Sequence, residues 1–225
     1  MKTTAITVWA GLALITATQA GTPSTIMTPA PSAELWQWFA GGSVGYLTQL
    51  DEEMYSLQAG AEYQTPGTSG NHAFYLQVGY AQDDNSYNHV SNLPGDVSEM
   101  ANIDVNIIPI TLDYKYETTL VGQLSGYVGL GLGVAILDGS YDWSWTQAVA
   151  PPNGTGGGRG SQTDVRFYGE VFAGLGYKVC KAFEVFGGAR YIFMDDVDQS
   201  KDRIFNYTAG INNDVLIELG ARIRF

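Results

Sequence analysis

The sequence predicts an all-β fold, an eight-stranded antiparallel up-and-down transmembrane β-barrel, and three observations predict it. Segment after segment alternates apolar and polar residues with a period of two, and the charges keep to one parity. The connections between these segments are alternately long and short, the first outer loop alone being brief, as expected when hairpins cross a membrane with loops on one side and turns on the other. Charged residues are only 15% of the chain while aromatics reach 12% and glycines number 28, and after residue 20 no apolar run is long enough for a helical span.

The first twenty residues stand apart. Lys2 is followed by an uncharged stretch from Thr3 to Ala20 that ends in Thr18-Gln19-Ala20, close to a small-x-small cleavage site. This reads as a secretory signal peptide over 1–20, in preference to a membrane anchor, because the stretch is rich in Thr, Ala and Gly and Pro- and Thr-containing sequence follows at once. No cysteine near Ala20 marks a lipid anchor. Residues 21–35 read as a flexible periplasmic leader, and 36–225 as the barrel. The net charge of −12 disfavours nucleic acid as a partner. Cys180 is the single cysteine, so no internal disulfide forms, and it reads as a spectator in a short turn.

The strands follow in order. Near 36–48, Trp36, Trp38, Ala40, Val44 and Tyr46 share a parity. Near 54–65 the apolar set is Tyr55, Leu57, Ala59, Ala61 and Tyr63, opposite Gln58, Glu62 and Gln64. Near 71–82 it is His72, Phe74, Leu76, Val78 and Tyr80. The fourth segment, near 102–117, alternates on Ile103, Val105 and Ile107 and then on Ile110, Leu112, Tyr114 and Tyr116. A β-bulge at Ile108-Pro109 accounts for the change of phase, since one inserted residue flips the faces and proline has no N–H for the ladder.

The fifth strand, near 122–137, sets Leu124, Val128, Leu130, Leu132, Val134 and Ile136 against Tyr127 and a row of glycines. The sixth, near 163–178, sets Val165, Phe167, Val171, Ala173, Leu175 and Tyr177 against Arg166, Glu170 and Lys178. The seventh, near 182–194, sets Phe183, Val185, Ala189, Tyr191 and Phe193 against Glu184, Gly188 and Arg190. The last, Ile211 to Phe225, sets Val215, Ile217, Leu219, Ala221, Ile223 and Phe225 against Asp214, Glu218, Arg222 and Arg224. Outer loops are then expected near 48–53, 83–101, 138–162 and 195–210, with inner turns near 66–70, 118–121 and 179–181.

Alternation alone also suits a soluble, lipocalin-like barrel with its apolar face inward. Against that reading, the polar parity is glycine-rich, which suits a narrow lumen, and the opposite parity carries no charge outside the phase change.

Two segments, Ile108-Pro109-Ile110-Thr111-Leu112-Asp113-Tyr114-Lys115-Tyr116 and Ser125-Gly126-Tyr127-Val128-Gly129-Leu130-Gly131-Leu132-Gly133, resemble paired strands of small outer-membrane β-barrel proteins of the OmpA, OmpX and opacity-protein type. The ending Gly220-Ala221-Arg222-Ile223-Arg224-Phe225 is similar to the signal that such proteins present to the barrel assembly machinery, carried by Gly220, Ile223 and Phe225. The resemblance covers about 36–225 and implies a bacterial outer-membrane location. It does not include OmpA's peptidoglycan-binding domain.

Strand direction places Glu170, Arg190 and Glu218 at one middle depth of the lumen, with Glu184, Arg222 and Lys115 nearer the periplasm. These charges are expected to pair across a side-chain-filled interior, rather than to line a gate or narrow passive pore, because eight strands enclose little free volume. His89-Val90-Ser91-Asn92 is similar to the His-x-Ser-Asn segment of outer-membrane lipid A deacylases, with Glu99 or Asp96 as the possible carboxylate, but it is expected in a loop rather than on a late strand. Asp196, Asp198, Ser200 and Asp202 have the spacing of a calcium loop, yet Lys201 and Tyr207 stand where its glycine and glutamate belong. His72 is expected at the periplasmic rim with no second histidine to share a metal. Tyr141, Trp143 and Trp145 read either as an exposed adhesive strand or as an aromatic girdle, and the glycines from 154 to 160 lack the Lys-Ser/Thr of a phosphate loop.

The expectation is an integral outer-membrane protein of structural or surface-interaction role. No catalytic residue, cofactor or metal is expected. The expected partners are outer-membrane lipids and lipopolysaccharide, the assembly machinery, and an unnamed surface ligand.

Overall fold

A strand inside hydrocarbon must find a partner for every backbone N–H and C=O, and a sheet does so only when it closes on itself. The computed structural model, which describes residues 35–91, 97–147, 154–195 and 213–225, is such a closed ring. Its strands are β1 (Trp36–Leu47), β2 (Glu52–Gln64), β3 (Gly70–Ser91), β4 (Val97–Val121), β5 (Leu124–Gln147), β6 (Thr155–Lys178), β7 (Phe183–Met194) and β8 (Asn213–Arg224). Each pairs antiparallel with its chain neighbours, and β1 closes on β8 with Phe39 opposite Arg224 and Leu47 opposite Leu216. The signal-peptide and leader assignments, and the acidic residues 196–202, lie outside the described residues except for Leu35.

Through the middle of the barrel the outward face is apolar. Leu57, Leu112, Leu219 and Ile217 are among the most exposed large side chains, whereas Gln77, Asp113, Glu170, Arg190, Glu218 and Arg222 on the other face are buried. A sheet with its leucines outside and its arginines inside is stable only where the outer solvent is hydrocarbon. The aromatic residues Trp36, Trp38, His72, Tyr114, Tyr116 and Tyr177 gather toward the end of this band that carries the short β2–β3, β4–β5 and β6–β7 turns. There the His72 Nδ1 lies 2.8 Å from the Tyr114 hydroxyl.

Two expectations are corrected. The expected bulge at Ile108-Pro109 does not occur: Val78 faces Ile110 and Ala81 faces Ile107, and Ile108 and Pro109 face Ile136 and Ala135, so one register holds on both sides of the proline. A register shift occurs instead at Thr119/Val121, next to the inner turn. Ile103, Val105 and Ile107 keep the inward parity of Thr111, Asp113 and Lys115 and are buried. The strand does not change phase; its surroundings do.

The second correction has the same cause. Most of the expected outer loops at 83–101 and 138–162 are strand, because β3, β4, β5 and β6 run well past the ends of β1, β2, β7 and β8. Above the apolar band these four strands stand in water, so their outward residues become Gln82, Asp84, Asp104, Asn106, Asp138 and Thr163, all exposed or half-buried. Many of their inward residues, Ile103, Val105, Ile107 and Leu137 among them, become apolar, although Asp83, Asp164 and Arg166 stay on that face. The alternation that marks a lipid-facing strand therefore inverts at the rim, which made these segments read as loops.

Glycine lets the narrow interior take large side chains. A Cβ on Gly129 would meet the Phe172 ring, one on Gly131 the Asp113 carboxylate and the Glu170 side chain, and ones on Gly174 and Gly188 the Tyr127 hydroxyl. Gly131→Val should therefore destabilise the barrel by about 1–3 kcal/mol through overpacking. Leu130→Val on the lipid face should cost less than that. Urea unfolding in lipid vesicles, followed by the heat-dependent mobility shift on gels, compares the two; equal losses would refute the packing account.

Candidate functional site

The lumen is filled in layers, beginning at the outer end with hydrocarbon. Leu47, Met54, Ile107, Leu137, Tyr168 and Leu216, with their neighbours, form a buried apolar cluster on which Leu50, Tyr141 and Met194 pack. The β1–β2 turn folds against its edge, where Asp214 accepts hydrogen bonds from the backbone N–H groups of Gln49 (2.9 Å) and Leu50 (3.1 Å) and from the Thr48 hydroxyl (3.2 Å).

Below it lies a charged cluster at mid-depth. Arg190 on β7 bonds Glu170 on β6, donates to Glu218 on β8 at 3.1 Å and to Gln77 on β3 at 3.3 Å, and stands 3.9 Å from Asp113 on β4. Tyr168 donates to Glu170 at 3.2 Å. Three carboxylates thus converge on one guanidinium, whose central carbon also lies 4.5 Å from the centre of the Phe172 ring. The buried aromatic layer of Phe39, Tyr75, Tyr127, Phe172 and Phe186 separates this cluster from the next.

Toward the end with the short turns, Arg222 and Arg224 share Glu62, Glu117 and Glu184. Arg222 lies 2.7 Å from Glu62, 2.8 Å from Glu184 and in contact with Glu117, while Arg224 Nε reaches Glu62 at 2.8 Å. Glu117 is also approached by Lys115 at 3.2 Å and by Lys178 at 3.5 Å. In this cluster three carboxylates meet two guanidiniums and two ammoniums, one basic group in excess, where the middle cluster has three carboxylates to one guanidinium.

The structure brings Glu170, Arg190 and Glu218 together, and separately Glu184, Arg222 and Lys115. Sequence reasoning did not single out Asp113, Glu117, Glu62 or Arg224 as members. Each lies on an inward parity beside an assigned residue, so the register of neighbouring strands was the missing signal. Gly220, Ile223 and Phe225 end the chain on and just past β8, and Phe225 donates its backbone N–H to the Trp38 carbonyl at 2.9 Å with its ring exposed. His89, Val90 and Ser91 belong to β3, paired with Glu99, Ser98 and Val97, and not to a loop; Asn92 and Asp96 lie outside the described residues. Cys180 is exposed in the β6–β7 turn.

Tyr141, Trp143 and Trp145 occupy the inward parity of β5 above the rim, so they form no girdle against lipid. They face Gly160, Gly158 and Gly156 of β6 in register, and each ring lies across its glycine where a Cβ would collide with it. On the opposite face Arg159 bridges to Asp142 at 3.4 Å. Among the described residues the lumen packing is interrupted by small voids, such as one of about 20 Å³ near Leu47, Met54 and Ile192 and one of about 10 Å³ near Gln58, Tyr127 and Arg190. Each has room for about one water.

No protein-family model and no curated protein matches the sequence. Among solved structures, a major outer membrane protein from Thermus thermophilus superposes with a TM-score of 0.53 at 14% identity, over 84% of this chain and 99% of that one. The chain has the outer-membrane β-barrel fold. Lower similarity is found with the N-terminal β-barrel domain of Pseudomonas aeruginosa OprF (TM-score 0.39, 13% identity, 84% and 97% covered). Ail of Yersinia pestis is at the same level (TM-score 0.39, 14% identity, 84% and 97% covered).

Removing Arg190 from this barrel leaves three buried carboxylates around an apolar side chain. Arg190→Met is expected to cost about 3–5 kcal/mol in urea unfolding from lipid vesicles, and an unchanged midpoint would show that the cluster is not held by the guanidinium. Above the rim, burial and then the facing Asp84 carboxylate raise the Asp104 pKa above its ordinary 3.8. A raised carboxyl destabilises the folded state when ionised; the cost begins to fall as pH drops through its folded value and is gone below the ordinary 3.8. Asp104→Asn should therefore raise the thermal midpoint at neutral pH and lose that advantage in acid. A gain that persisted at low pH would point to a cause other than charge.

Proposed function

We propose that this outer-membrane barrel is a closed, side-chain-filled pedestal, with a structural or surface-interaction role carried by the sheet it raises above the membrane. The observation that carries this reading is the stacking of independent seals in the lumen: an apolar layer, a charged cluster, an aromatic layer and a second charged cluster. Water or an ion passing along the axis would have to displace all of them, and the voids between them hold about one molecule each. The ion pairs then act as internal cross-links between strands rather than as the lining of a path.

Lipid contacts the apolar band, and lipopolysaccharide is the partner at its outer edge. Gly220, Ile223 and Phe225 fit the role of the segment read by the assembly machinery, because the exposed terminal ring directly follows β8, the strand whose pairing with β1 closes the sheet.

Planar-bilayer conductance of the purified protein tests the closed lumen. Neither the wild-type protein nor Arg190→Ala is expected to conduct, since the apolar layer remains when the middle cluster is broken. Steady open events in the wild-type protein would establish the narrow pore instead. Opening in Arg190→Ala alone would make the charged cluster the barrier.

A further inference from the structure

The four strands that rise above the rim carry a feature that a sealed pedestal does not need. On the concave side of the β5–β6 hairpin, Tyr141, Trp143 and Trp145 form a row that starts on the apolar layer of the lumen, where Tyr141 packs, and continues away from it toward the hairpin tip. Gly160, Gly158 and Gly156 lie beneath the three rings. A side chain at any of these positions would lift its ring from the sheet, so the glycines let the rings lie down and present their π faces. Covering glycine is itself stabilising in a strand, but Trp143 remains 43% exposed, at a height where the lumen core is no longer beneath it.

Charge decides what such a surface attracts. The extended parts of β3 to β6 carry Asp84, Asp104, Asp138 and Asp142 on the outer face and Asp83 and Asp164 on the concave one, against Arg159 outside and Arg166 inside. Both arginines are close to carboxylates of the same sheet, Arg159 to Asp142 and Arg166 to Asp164 at 2.9 Å. The potential over the extension is therefore negative, repelling polyanions and a second copy of the chain and drawing in cations. Open aromatic faces prefer the same ligands, because the ring quadrupole attracts ammonium and, more strongly through stacking, guanidinium groups.

We infer that the concave face of this extension docks an arginine- and lysine-bearing peptide segment of another protein, with cationic side chains laid on Trp143 and Trp145 and drawn there by the net negative charge of the extension. The inference rests on the reading of the extension as the cell-surface side of the barrel. It names the chemistry of the partner that the pedestal displays its sheet for.

The test uses the full barrel in lipid nanodiscs with hexa-arginine as the probe, read by tryptophan fluorescence at about 150 mM salt, where purely long-range attraction is largely screened. Binding is expected, weaker for hexalysine and absent for hexaglutamate. The double variant Trp143→Ala/Trp145→Ala should weaken binding by about tenfold or more, followed by calorimetry because the reporter rings are lost, while Trp143→Phe keeps most of it. All variants should retain the heat-dependent gel shift of a folded barrel. Equal affinity for the double variant would reduce the effect to ion attraction and overturn the proposal, as would preferential binding of maltohexaose or self-association through this face. In a Cys180→Ser background, Trp143→Cys should label on intact cells with a membrane-impermeant maleimide. Labelling without hexa-arginine binding overturns the docking inference alone, whereas no labelling overturns the cell-surface reading and the inference with it.

Discussion

Closure of β1 on β8 is the constraint from which the rest of the molecule follows. In hydrocarbon there is no water to take an unpaired N–H or C=O, so the sheet cannot end in an edge and every strand must be bonded on both sides through the apolar band. Once eight strands close, the interior is narrow, and each inward position is packed against residues from across the ring. The glycines facing Phe172, Asp113 and Tyr127 are the direct result.

The same closure explains why the charges are where they are. A charge on the lipid face costs several kcal/mol at the bilayer centre, so the charged residues of the span are confined to the axis. There they cannot be hydrated in bulk and must find one another, which aligns Arg190 with Glu170 and Glu218 and sets Arg222 and Arg224 among Glu62, Glu117 and Glu184. Pairs that tie β2, β4, β6, β7 and β8 across the lumen make the barrel stiff. The proposed closed pedestal rests on these cross-links.

Height above the bilayer then divides the molecule into two regimes built on one uninterrupted register. Within the membrane the outside is apolar and the axis polar; above it, Asp84, Asp104 and Asp138 face water while Val105, Ile107 and Leu137 form the core. The apolar layer closes the lumen at the level where the solvent outside changes. Beyond it the strands have no lumen left to fill, and it is there that the aromatic row lies open on its glycines.

Read by itself, the sequence determined the strand number, the direction of each strand and the face of each residue within the band, because a period of two is a local property and eight segments repeat it. It also placed Glu170, Arg190 and Glu218 at one depth, since strand direction and length suffice for that. The tertiary structure alone decided that Pro109 sits in an unshifted strand, that residues such as Asp104 and Trp143 belong to strands rather than loops, and that Asp113, Glu62 and Arg224 join the lumen clusters. The physical reason is that parity says which residues share a face, whereas the solvent on that face depends on height above the membrane and on the register between strands far apart in the chain. Neither is encoded within the strand that obeys it.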